Sequence, residues 1–388
     1  MKRIKKILAV TGIRSEYDIL FPVLRILKEN DLFELKVVVS GAHLSDWHGA
    51  TVDRVLEDGF DIADRVDTLL TTNRSTQRSK AVSSLIAGLT QTVEREQPDL
   101  LIVVGDREES IATAIVGNYM DILVAHIGGG DPVWGNSDDP IRMAVSKLAH
   151  IHFTTAVPYS DNLVSLGEDL WRICFCGTPG LDNILNEPNV DIAEVSDFVG
   201  TNLEDYIVVL KHPLSSEHES SFDQMTSALK AIDKVCLDKD LKAVCITPNS
   251  DPGSHEILKA YREFESQRII LTQTLPRRIF VNLLRHAKAL VGNSSMGILE
   301  APMYKLPVVN IGHRQRGRLN AGNVKFVGYE VEEIAAEIEK AVYDLEYRKE
   351  VADLENPYGQ GNAAELIQNF LLNIDLNDKK WSVKEKLV

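Results

Sequence analysis

Short apolar runs alternate with longer amphipathic stretches along the whole chain. That rhythm predicts strand–helix units and parallel sheets. In the first half, strands are predicted at Lys6–Thr11, Glu34–Ser40, Leu100–Gly105, Leu123–Ile127, His150–Thr154 and Arg172–Cys176. Helical periodicity fills Tyr17–Glu29, Thr76–Glu96, Glu108–Tyr119 and Pro140–Ala149. Turn-rich segments at Gly177-Thr-Pro-Gly180 and Asn186-Glu-Pro-Asn189 break the pattern, which then restarts. Strands follow at Tyr206–Leu210, Ala243–Thr247, Ile269–Leu271, Ala289–Gly292, Val308–Ile311 and Val324–Val327, with helices near Phe222–Leu237, Glu256–Ser266, Ile279–Arg285, Gly297–Lys305 and Val331–Tyr343. The pattern predicts two α/β domains, residues 1–180 and 181–365. Residues 366–388 form a terminal helix and tail whose charged end, Asn377–Val388, is expected to fray. Paired domains of this kind put the carboxyl ends of their strands at a shared cleft, where open α/β sheets bind ligands.

The 388 residues are 44% hydrophobic and 26% charged, an ordinary globular balance that excludes disordered and fibrous classes. Lys and Arg number 42 against 57 Asp and Glu, a formal charge of −15. Such a chain is a poor match for a nucleic-acid backbone, although a few local donors still hold a small phosphorylated ligand. No apolar run approaches the roughly 20 residues that span a bilayer. The basic start is followed by a brief apolar stretch, Ile7–Val10, too short for a secretion signal and expected to be the first strand. Cys174, Cys176, Cys236 and Cys245 are too few for a disulfide framework in a chain this long. Buried thiols of a cytoplasmic protein are the expectation.

Candidate chemistry gathers where strands end. Thr11-Gly-Ile-Arg14 follows strand one and opens a helix, a geometry that suits an anion through backbone N–H groups and one fixed cation. An ordinary strand–helix turn explains it as well. Asp106 lies just past a strand end, placed for catalysis or for capping the next helix. His126-Ile-Gly128-Gly-Gly130-Asp131 puts three consecutive glycines after a strand, a costly choice that points to close approach of a ligand to the backbone. Asp138-Asp139-Pro140-Ile-Arg142 opens a helix. Capping accounts for Asp139 and Pro140, but poorly for Asp138. His150 and His152 share one face of a strand without a third ligand at a suitable spacing, so no metal is expected.

In the second half, Lys211-His212-Pro213 ends a strand, and histidine suits proton transfer near neutral pH. Gly292-Asn-Ser294-Ser295-Met-Gly-Ile-Leu-Glu300 reads as strand, small-residue turn and helix start. Its hydroxyls and N–H groups suit a diphosphate, and Glu300 suits ribose hydroxyls. Arg314, Arg316 and Arg318 follow within five residues.

Taken together these motifs resemble the UDP-N-acetylglucosamine 2-epimerase family, in particular its hydrolysing branch that feeds sialic- and legionaminic-acid type sugar synthesis. The resemblance runs from Thr11 to about Gly328 through TGIRSEYDIL, GDREE, HIGGGD, DDPIR with KLAHIHF, GTPGLDNI, KHP, GNSSMGILEAP and RQRGRLNAGNV. It implies two Rossmann-like domains in a glycosyltransferase-B-like fold, with the active site in the interdomain cleft. It implies Arg14, Ser294, Ser295 and Arg316 at the diphosphate, Glu300 at the ribose, Phe280 beside the uracil, and Asp106, Asp138 and His212 as the acid–base group. Arg142 joins the substrate-binding set. The implied reaction removes the C2 proton while the nucleoside diphosphate leaves C1, then rehydrates the glycal-like intermediate to a free sugar inverted at C2. No cofactor is implied, and a cytoplasmic homodimer or larger assembly is.

Two positions depart from the family pattern. Family members usually carry an acid where this chain has Gly128, and often His where it has Met143. Asp131 is expected to take over the missing carboxylate, and the space opened at Gly128 fits a sugar with a second acetamido group at C4. The same motifs also leave room for a non-hydrolysing epimerase that returns an intact nucleotide sugar, for a glycosyltransferase on the same scaffold, and for a catalytically altered nucleotide-sugar-binding homologue.

Overall fold

The computed structural model describes residues 3–46, 50–69, 76–132, 138–248, 253–273 and 275–384, with backbone alone at 138, 215, 216 and 218. The chain divides into two compact units. Unit 1 comprises Met1–Asn183 with Tyr358–Val388, and unit 2 comprises Ile184–Pro357. The second unit thus ends at residue 357 rather than 365.

Unit 1 is built on a seven-stranded parallel sheet of β1 (Lys5–Thr11), β2 (Phe33–Ser40), β3 (Ile62–Val66), β4 (Leu100–Val104), β5 (Leu123–Ile127), β6 (Ile151–Thr154) and β7 (Ile173–Phe175). The strand order is β3-β2-β1-β4-β5-β6-β7. The register sets Ala9 beside Val37 and Ile102, and Ile102 beside Ala125. Strand residues alternate between two apolar layers, as a sheet covered on both faces requires. Ile7, Ala9, Leu100 and Ile102 face Leu20, Leu24 and Leu27 of helix Arg14–Lys28, while Leu8, Val10, Leu101 and Val103 face Leu85, Leu89 and Val93 of helix Thr76–Glu96.

Unit 2 repeats the plan in six parallel strands: β8 (Tyr206–Leu210), β9 (Lys242–Ile246), β10 (Ile269–Thr272), β11 (Leu290–Gly292), β12 (Val308–Ile311) and β13 (Val324–Val327). Their order is β10-β9-β8-β11-β12-β13. In each sheet the order reverses beside the first strand, between β1 and β4 and between β8 and β11. Successive helices leave on opposite faces there, so the loops at the strand carboxyl ends part and open a crevice.

Several elements differ from the sequence reading for identifiable reasons. Strand β3 lies outside the predicted set; its sequence, IADRV, is half-buried on a sheet edge and carries little apolar signal. Helix Arg14–Lys28 starts three residues before the expected Tyr17 and continues through Pro22, which cannot donate to the carbonyl of Asp18. The Asn183 amide donates to that carbonyl instead, at 2.6 Å. The expected helix Gly297–Lys305 is one turn, Met296–Leu299, followed by a tighter turn over Ala301–Tyr304. Pro302 removes the N–H that would continue it.

The tail does not fray over its described length. Helix Ala363–Asn373 packs in unit 1, with Asp182 accepting the N–H groups of Ala363 and Ala364 at 3.0 and 2.8 Å. Beyond it, Trp381 is buried, and the buried Arg172 guanidinium donates to the carbonyls of Lys380, Trp381 and Val383 at 2.7, 2.9 and 2.5 Å. The same guanidinium also donates to the His150 carbonyl at 3.2 Å and lies 4.2 Å from the Trp171 ring, so stacking and four carbonyls together offset its desolvation. Where the chain leaves and re-enters unit 1, Gly177 and Gly359 pack backbone to backbone, and Thr178 N–H bonds the Tyr358 carbonyl at 2.7 Å.

Candidate functional site

The crevice of unit 1 gathers the ends of β1, β4 and β5. Asp106, in the turn after β4, accepts a charge-assisted hydrogen bond from Arg142 on helix Asp138–Leu148. The other arm of that guanidinium donates to the Gly128 carbonyl at 2.9 Å and lies 3.7 Å from the Asp131 carboxylate. Side-chain exposures of 17%, 12% and 8% for Asp106, Arg142 and Asp131 make this a largely desolvated group, in which charged hydrogen bonds count for more than at a surface. Gly128 has φ +81°, and a side chain there would begin 3.6 Å from the Arg142 nitrogen that Asp131 approaches. Asp138 opens the helix, but its side chain lies outside the described residues.

Three supporting residues carry no clear signal in the sequence. The His126 ring, fully buried on β5, is driven down to about 3 by desolvation and is therefore neutral. Its Nε2–H donates to the Gly105 carbonyl at 2.7 Å, while Nδ1 sits 3.2 Å from Ser146, one turn after Arg142. His126 thus ties the Asp106 turn to the Arg142 helix. Glu16 and Glu109 converge on Gly12. Glu16 accepts the Gly12 N–H at 3.2 Å, and a Glu109 oxygen occupies the space where a Gly12 side chain would lie, 1.9 Å from its first carbon. Burial raises both carboxyls, and the Glu109 charge raises Glu16 further, with Arg107 opposing. An acid in a first helical turn is ordinarily read as a dipole partner, which hides their convergence. Arg14 opens the same loop, with its Nε 3.5 Å from Asp18.

The crevice of unit 2 gathers the ends of β8, β11 and β12. His212, two residues past β8, is held through its backbone. Its N–H donates to the Asn293 side-chain oxygen at 2.7 Å, and its carbonyl accepts from the Asn293 amide at 2.8 Å. Burial, with Arg314 and Lys211 nearby, lowers the imidazole to about 4, so the ring is neutral near pH 7. Ser294 and Ser295 follow in the turn after β11 and are half-buried, with Glu300 at the end of the single helical turn. Arg314 Nη1 and the Gln315 amide each donate to the Asn293 carbonyl at 3.2 Å, drawing the arginine-rich loop onto the same turn. Arg316 is exposed on that loop. Phe280 is half-buried on helix Arg277–His286, which packs against the turn Ala301–Tyr304. The structure therefore brings Asp106, Asp131 and Arg142 together in one crevice, and His212, Ser294, Ser295 and Arg314 in the other. His150 and His152 serve the core: His150 accepts the Val124 N–H at 3.1 Å, and His152 pairs with buried Glu168 at 3.0 Å.

The sequence model of the UDP-N-acetylglucosamine 2-epimerase family matches residues 25–372. The chain belongs to that family. It is 32% identical over 380 residues to the UDP-N,N'-diacetylbacillosamine 2-epimerase (hydrolyzing) of Legionella pneumophila, covering 97% of this chain and 98% of the other. It is 30% identical over 339 residues to a UDP-N-acetylglucosamine 2-epimerase of Neisseria meningitidis serogroup B, covering 87% of each. Among solved structures, a UDP-GlcNAc 2-epimerase from Neisseria meningitidis bound to UDP-GlcNAc superposes with a TM-score of 0.75 at 21% identity, over 95% of this chain and all of the other. The two parallel sheets are those of the epimerases' glycosyltransferase-B-like fold, and the chain is an enzyme of this epimerase family. Among the described residues no helix is long and apolar enough to cross a membrane.

Proposed function

We propose that this epimerase is of the hydrolysing type, converting UDP-N-acetylglucosamine or a 4-acetamido-6-deoxy relative to the free 2-epimer and UDP. A carboxylate takes the C2 proton as the C1–O bond to the diphosphate breaks. Water then adds at C1 of the resulting glycal, and a proton returns to C2 on the opposite face. The sum is nucleotide sugar plus water giving free sugar plus UDP. The C2 proton is weakly acidic, so the step needs a positioned base and a stabilised leaving group. Asp106, Asp131 and Asp138 are the carboxylates of this reading, with His212 completing the acid–base group. Arg14, Ser294, Ser295 and Arg316 receive the diphosphate, Glu300 the ribose, and Phe280 flanks the base.

The observation that carries the reading is the Asp106–Arg142–Asp131 group beside Gly128. The acid missing at 128 would have addressed the same Arg142 nitrogen that Asp131 approaches, so one carboxylate substitutes for the other. The Legionella relative's name supports both the hydrolytic outcome and a diacetamido sugar, and the side-chain-free Gly128 supports a bulkier C4 substituent. The reading also includes a cytoplasmic homo-oligomer, which light scattering tests for assembly state.

The test is incubation with UDP- and GDP-linked N-acetyl and diacetamido sugars in D2O, followed by NMR. Free 2-epimer carrying deuterium at C2, formed fastest from the diacetamido substrate, is expected. An intact epimerised nucleotide sugar would move the protein to the non-hydrolysing type. Nucleotide binding without C2 exchange would make it a binding homologue. Full turnover by Asp131→Asn would remove that residue from the acid–base group.

A further inference from the structure

Strands β8 and β11 pair in register up to Leu210 and Gly292. The Asn293 N–H still reaches the Leu210 carbonyl at 3.1 Å, and there the main-chain ladder ends as the loops part. The Asn293 side chain continues it. Its oxygen takes the His212 N–H and its NH2 gives to the His212 carbonyl, standing in for the next peptide group of the neighbouring strand. Asparagine is suited to this because one short side chain carries an acceptor and a donor together. With both peptide groups flanking His212 fixed, the direction of its Cα–Cβ bond is fixed as well. The Asn293 carbonyl meanwhile receives Arg314 and Gln315 from the loop after β12. Asn293 is itself buried, so water does not substitute readily for these bonds.

We infer that Asn293 is a positioning residue for His212, setting the imidazole for proton transfer and linking it to the arginine-bearing loop that meets the nucleotide's diphosphate. The inference rests on the proposed hydrolytic epimerisation. Each polar atom of the Asn293 side chain bonds the His212 main chain, and that is where the effect of the side chain is assigned. The histidine is neutral near pH 7, so its catalytic use depends on orientation rather than on charge.

The test compares Asn293→Asp, which keeps the acceptor but turns the donor end into a second acceptor facing the His212 carbonyl, in wild-type and His212→Asn backgrounds. In the wild-type background, kcat is expected to fall about 10- to 100-fold, the scale of a small misplacement of a catalytic group, with UDP affinity kept within about threefold. In the His212→Asn background the same change is expected to cost almost nothing more, because a residue acting through His212 has nothing left to position. Equal losses in both backgrounds, or weakened UDP binding with kcat intact, would overturn the inference. Amide exchange of the 206–214 segment in Asn293→Ala gives a readout independent of turnover, with at least about tenfold faster exchange at His212 expected once its partner is gone. Unchanged exchange would overturn the inference even if wild-type protein turned over no nucleotide sugar, an outcome that would by itself defeat only the proposed reaction.

Discussion

Replacing Gly292 with alanine isolates a collision that the sequence cannot reveal. Gly292 ends β11 at φ +142°, and a Cβ there would lie 2.1 Å from the Leu210 oxygen, 2.5 Å from its carbonyl carbon and 3.1 Å from the Lys211 nitrogen. These are main-chain atoms of a central strand and have no rotamer to escape into. The backbone conformation is essentially reserved to glycine, at about 1–3 kcal/mol for another residue. Forcing atoms into a packed site adds about 1–3 kcal/mol, for a total of about 4 kcal/mol. Gly200 in the same unit is the control. It has φ +79° at the end of helix Ile192–Val199, with nothing within 4 Å of a Cβ, so alanine there costs about 1 kcal/mol of backbone strain alone. For a unit of this size each kcal/mol lowers Tm by about 2–4 °C. Calorimetry should therefore show a fall of about 2–4 °C for Gly200→Ala and about 8–16 °C for Gly292→Ala. A Gly292→Ala melting point no lower than that of Gly200→Ala would refute the collision argument.

Other perturbations test separate parts of the structure. Arg172→Met should leave the carbonyls of Lys380, Trp381 and Val383 without their donor, cost about 3 kcal/mol, and expose the tail to carboxypeptidase; an unchanged digestion rate would count against the anchoring role. Burial lowers His43, His126 and His150 to about 4, 3 and 4. Their unfolded values are near 6.5, so the unfolded chain takes up protons that the native rings refuse; the rings' share of the stability should be complete above about pH 6.5 and fall toward pH 4 by up to about 1.4 kcal/mol per pH unit per ring, against the opposite slope of the raised Glu16 and Glu109. His126→Gln should therefore lose less stability between pH 7 and 5 than the unsubstituted protein, and urea midpoints with the same pH dependence in both would contradict this. Asp106→Asn should lower kcat by about 10²- to 10⁴-fold with UDP affinity retained, measured by product NMR and calorimetric titration; undiminished turnover would exclude Asp106 as the base.

The alternation of apolar runs is enough to read both parallel sheets, because their strands are covered on two faces and appear as unbroken hydrophobic segments. It fails at β3, whose edge position leaves IADRV half-exposed, and at short helices such as Val52–Glu57 and Val157–Ser165, which carry too few turns for a periodicity. Site residues at strand ends are legible as types in a place: Asp106 after β4, His212 after β8, the serines after β11. Their partners are not. That Arg142 reaches both Asp106 and Gly128, or that Trp381 closes over Arg172, depends on segments 14, 36 and 209 residues apart. Nor does the sequence distinguish Asn293 from any other small polar turn residue, because its two bonds exist only where β8 and β11 diverge.

The paired glycines at 177 and 359 make unit 2 an insertion whose two ends emerge beside one another from unit 1. Such an arrangement favours modular exchange. A genetic event that swapped the inserted segment would disturb one spot on the host rather than two.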